Sequence, residues 1–86
     1  RSNTPLQALN LFNSPFTLQQ ANTLASRLQS EAGPNPNEQT SLAFQLAFAR
    51  NPDALEQASS SRFIAQQGLP AFCRALFNTS EFLFVF

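Results

Sequence analysis

Proline marks where this chain can begin a helix, and that constrains it more than any other feature. Pro at the first helical position loses nothing, because its missing N–H has no intrahelical partner there. Four of the six prolines follow a Ser, Thr or Asn, the side chains that cap helix starts. Thr4-Pro5-Leu6-Gln7 reads as a capping box, with Gln7 three residues after Thr4. Ser14-Pro15 announces a second helix. Asn35-Pro36-Asn37-Glu38 is another capping box, with Glu38 suited to the positive end of the helix dipole. Asn51-Pro52-Asp53 opens a fourth helix, and Leu69-Pro70 after Gly68 a fifth. Pro34, between Gly33 and Asn35, reads as loop.

Apolar spacing agrees with these starts. Helices are expected over about 4–12, 15–31, 36–49, 52–66 and 70–78. The second places Leu18, Ala21, Leu24, Ala25 and Leu28 on one stripe. The third has Leu42, Ala43, Leu46 and Ala47 on one face and Phe44 and Phe48 on another, which predicts the most buried, central helix. The fourth is the least regular. Leu55, Ala58, Phe63 and Ile64 keep the spacing, but Ser59-Ser60-Ser61 favours neither helix nor core. The fifth carries Leu69, Phe72, Cys73, Leu76 and Phe77 in a helical series, and Asn78 with Glu81 three residues on could cap a short last turn. No segment alternates as a strand does. The expectation is all-α: one domain over residues 1–86, a compact bundle of about five short helices in orthogonal or antiparallel packing.

Composition narrows the chemistry. The chain has 86 residues, five Arg against five Asp plus Glu, no Lys, no His and one Cys. Lacking His, it lacks the commonest general base and metal ligand. One Cys excludes an internal disulfide or a Cys-rich zinc module. Zero net charge without an Arg cluster argues against nucleic acid as a partner, helix-turn-helix DNA binding included. A saposin-like lipid carrier would need a Cys framework that is missing. The longest wholly apolar run, Phe82 to Phe86, is far too short for a membrane span. No signal peptide is visible, and the start at Arg1 suggests a processed or excised chain.

Four groups of residues are candidates for a role. Arg50, Glu56 and Glu81 are the best constellation: either a salt-bridge clamp joining helix ends, or a binding site for a small anion or sugar hydroxyl. Two carboxylates also suffice for glycoside hydrolysis, though nothing in the sequence shows a cleft or a raised pKa. Cys73, on an apolar stripe, reads as core. Asn3, Gln7, Asn10 and Asn13 recur along one helical face and suit packing or recognition. Phe82-Leu83-Phe84-Val85-Phe86 would be an aggregation hazard if exposed, so it is expected to fold back on the bundle or dock on a neighbouring domain.

The opening stretch, Arg1-Ser2-Asn3-Thr4-Pro5-Leu6-Gln7-Ala8-Leu9 through Asn13-Ser14-Pro15-Phe16, resembles an R-x-N-T-P-L-Q-A-L signature. Arg50, Pro52 and Glu56 match an R-x-P-x-x-x-E element. The closing Cys73-Arg74-Ala75-Leu76-Phe77-Asn78 with Glu81-Phe82-Leu83 and Val85 resembles a C-x-A-L-x-N-x-x-E-F-L-x-V ending. Together they resemble the C-terminal part of the planctomycete domain of unknown function 1553. Thr79-Ser80 and Phe86 depart from its usual ending. The resemblance carries no established activity. It implies a large parent protein, periplasmic or exported, often accompanied by a c-type haem domain. Haem attachment needs a Cys-x-x-Cys-His motif, so no cofactor is expected in this piece and any haem lies elsewhere in the parent. The expected partner is the rest of the parent chain, with the piece itself monomeric or weakly associating. The expected role is a non-catalytic helical structural or interaction module. The alternative is part of a hydrolase or carbohydrate-binding protein that supplies one wall of a site.

Overall fold

A computed structural model describes residues 15–79, and they form four helices and no strand. These are α1 (Pro15–Ala32), α2 (Pro36–Phe48), α3 (Ala54–Gln67) and α4 (Leu69–Phe77). The all-α expectation holds, with four helices among the described residues rather than about five. The helix expected over about 4–12, with Thr4 and Gln7, lies outside them.

The helix ends show which local signals acted. Asn35 is extended and caps α2: its Oδ1 accepts the Asn37 N–H at 2.8 Å, one residue short of the Glu38 N–H that a capping box would use. α3 begins two residues later than Pro52 suggested. Its cap is Asp53, which forms a true capping box with Glu56. Asn78 closes α4 as its C-cap, with its N–H on the Ala75 and Leu76 carbonyls. Gly33, at φ 79°, ends α1, and its N–H reaches the Gln29 carbonyl. Gly68, at φ 94°, is the whole link between α3 and α4. Its N–H closes α3 on Ile64, and its carbonyl accepts the Phe72 N–H of α4.

Each helix packs on the next and α4 returns to α1, which closes a ring around one core. Leu24 and Leu28 of α1, Ala43 and Ala47 of α2 and Cys73 of α4 are almost wholly buried there, with Phe44, Phe48, Ile64, Phe72, Leu76 and Phe77 around them. The expected α1 stripe is seen in Ala21, Leu24, Ala25 and Leu28, but Leu18 is more than a third exposed and Thr17 is buried instead. α2 buries six of its 13 residues, and both Phe44 and Phe48 belong to its buried face. That is the largest share of the four helices, as expected, but each helix of the ring has two main packing partners, so α2 is no more central than the others.

α3 departs furthest from its sequence pattern. Leu55 is 79% exposed and Ala58 is exposed, while Ile64 is the only buried residue. Polar bonds compensate. Gln57 Nε2 donates to the Asn37 carbonyl at 3.0 Å, and the Ser61 hydroxyl donates to Asn37 Oδ1 at 2.5 Å. Ser59 donates to the Leu55 carbonyl one turn back, which satisfies its hydroxyl without holding the helix. Truncating Leu24 to Ala should therefore cost about 2–5 kcal/mol. The same truncation at Leu55 should stay within about 0.5 kcal/mol. Urea unfolding followed by circular dichroism distinguishes the two.

Candidate functional site

Three of the described charges, Arg50, Asp53 and Glu56, come together at the α2–α3 connection. α2 stops at Phe48 because Ala49 turns left-handed, at φ 58°, the only non-glycine to do so among the described residues. Its N–H bonds the Gln45 carbonyl at 3.1 Å, and the Arg50 N–H closes on the Phe44 carbonyl at 3.5 Å. Arg50 therefore sits two residues beyond the helix rather than ending it. The turn sends its side chain back along α2. The guanidinium lies 5.4 Å from the Phe44 ring centre and 5.7 Å from that of Phe48, and those two rings meet edge to face.

From that platform Arg50 forks onto Glu56. Nη1 donates to Oε1 and Nη2 to Oε2, each at 2.8 Å. Nη1 also donates to the Asn51 carbonyl at 3.1 Å. Glu56 is at the same time the third residue of α3. Its Oε1 accepts the Asp53 N–H at 2.9 Å, and its own N–H donates to Asp53 Oδ1 at 2.8 Å. The Arg50 fork, followed by the Asp53 N–H, holds the Glu56 carboxyl down at about 2 against an ordinary 4.5.

A groove of about 310 Å³ opens beside this pair, between α2, α3 and α4. Phe44, Phe48, Phe63, Phe72 and Leu76 form most of its wall, with Arg50, Glu56, Ser59 and Ser60 at the polar side. Cys73, on the other hand, is in the core with no exposure, and burial pushes its thiol up to about 12. A thiol so placed supplies no nucleophile near neutral pH.

The structure thus joins Arg50 and Glu56, while Glu81 lies outside the described residues. Asn35 and Asn78 are helix caps, and Glu38 lies in the first turn of α2. The amide face at Asn3, Gln7, Asn10 and Asn13 also lies outside. Two contributors were missed in the sequence. Asp53 could have been found, since Asp53-x-x-Glu56 is itself a capping box. The Phe44–Phe48 platform under Arg50 could not, because it depends on the turn at Ala49. Chemically, the pair ties one loop to two helices. A general acid for glycoside cleavage needs a raised pKa, and Glu56 is moved the other way. Among the described residues no group of three His, Cys, Asp or Glu side chains could hold a metal, and no helix is long and apolar enough to cross a membrane.

Such a site defines a small helical domain whose charged centre is built into its own framework. Residues 1–64 match the family described as PSD1, protein of unknown function (DUF1553), and the chain belongs to that family. The matched stretch takes in the opening signature and the Arg50–Glu56 element, and it stops before the closing one. No curated protein and no solved structure matches the chain.

Acid titration reads the clamp directly. A carboxyl with a lowered pKa stabilises the fold fully above about 4.5, and that contribution is lost as pH falls toward about 2. Tm should accordingly drop across that window. Glu56→Gln should be less stable at pH 7 and should lose most of the drop, as thermal melts at stepped pH would measure.

Proposed function

We propose that this chain is a non-catalytic helical module that packs within a larger exported protein of the DUF1553 family. One observation carries the reading: the Arg50–Glu56–Asp53 constellation is consumed by joining α2 to α3. Both Glu56 oxygens take the Arg50 fork, one of them takes the Asp53 N–H as well, and the carboxyl is held ionised. Cys73 supports the same reading, since burial keeps its thiol protonated and enclosed. Export, the larger parent and a haem carried elsewhere in it belong to the proposal through the family resemblance. The module's own contribution is mechanical, presenting a fixed helical surface to the rest of that protein.

The test pairs stability with binding. Arg50→Ala should lower Tm clearly, since it leaves Glu56 without its main partner and bares the Phe44 and Phe48 faces. Amide NMR titration of the unaltered chain with a panel of sugars and small anions should give no saturable shifts at Arg50, Glu56, Ser59 or Ser60. Saturable shifts there, together with an Arg50→Ala variant as stable as the parent, would replace this reading with a ligand site.

A further inference from the structure

The groove beside Arg50 is an apolar surface with a chain segment delivered to its edge. Thr79, the last described residue, lines it, and seven residues follow in the sequence. Phe63 leaves 36% of its surface exposed although its ring meets that of Phe72 at 6.2 Å. We infer that this groove is the seat of the chain's own segment 80–86, Ser80-Glu81-Phe82-Leu83-Phe84-Val85-Phe86.

Three arguments converge on that occupant. The first is reach: seven residues can span about 23 Å when extended, enough to run the groove from Thr79. The second is size. An apolar cavity of about 150 Å³ accommodates one benzene ring. At about 310 Å³ the groove has room for two rings. In an extended segment Phe82, Phe84 and Phe86 share one side, and the part-exposed Phe63 ring of the wall offers them offset or edge contacts. The third is charge. Arg50 and Glu56 offset one another at the polar side. The wall therefore favours a mainly apolar occupant over a charged small molecule. The inference stands on the groove and its neighbouring sequence, whatever role the module has in its parent.

The chain contains no Trp and no Tyr, so one indole reports alone. Phe63→Trp in the full chain should emit in the blue, as a covered indole does. The same reporter combined with Phe82→Ser, Phe84→Ser and Phe86→Ser should emit to the red and bind several-fold more of an apolar dye, with helical circular dichroism retained. In the unsubstituted chain, with labelled Phe, nuclear Overhauser contacts should join the Phe82 or Phe84 ring to the Ala75 and Leu76 methyls. Those contacts decide the matter if the triple variant fails to fold. Their absence overturns the inference. So does a blue emission that needs high protein concentration and tracks a dimer in sedimentation, because a second copy then covers the groove.

Discussion

Glu56 must satisfy two neighbours at once, and the arrangement of α3 follows from that. Its carboxylate takes the Arg50 fork while completing the capping box with Asp53. A surface ion pair on its own contributes little, but a bidentate pair inside a hydrogen-bonded network is the geometry that does contribute. Here the network spans only residues 49–56, so it sets where α3 starts relative to the end of α2. With that start fixed, Gln57 and Ser61 come opposite Asn37 near the beginning of α2. α3 buries one apolar side chain. Polar bonds locate it against α2, whereas apolar packing dominates the rest of the ring.

That division explains what could be read in the sequence. Where a helix is held by apolar burial, its spacing is informative. Pro36 gave the correct start of α2, Pro15 is the first described residue and already helical, and four of the five residues expected on the α1 stripe are buried. Where polar bonds hold the helix, spacing misleads. Leu55 and Ala58 keep a helical interval yet face solvent, because the α3 side that meets α2 is chosen by Gln57 and Ser61. Pro52 drew the expected start too early, since the residue that satisfies the free N–H groups is Asp53, whose Glu lies three residues on. The Arg50–Glu56 pair was legible from its short spacing. Its aromatic bed was not, because it requires a left-handed alanine that no local signal announces. The groove was least legible, since it joins side chains from three helices.

Ala49 shows the cost of this economy. A side-chain-bearing residue in the left-handed region is disfavoured by about 1–2 kcal/mol. The turn persists because it places Arg50 over two rings and within reach of Glu56. A domain this small has few other places to recover that cost, so the loop and the aromatic face of α2 depend on each other.

Gly68 has a different consequence. It is bonded through its N–H to the end of α3 and through its carbonyl to the first turns of α4, with no residue in between to absorb a change. Phe63 and Phe72, on either side of this corner, are adjacent panels of one groove wall, with ring centres 6.2 Å apart. The seam between those two panels is therefore inherited from the connectivity of the chain. A wall whose panels share a fixed corner meets any occupant with its shape already set.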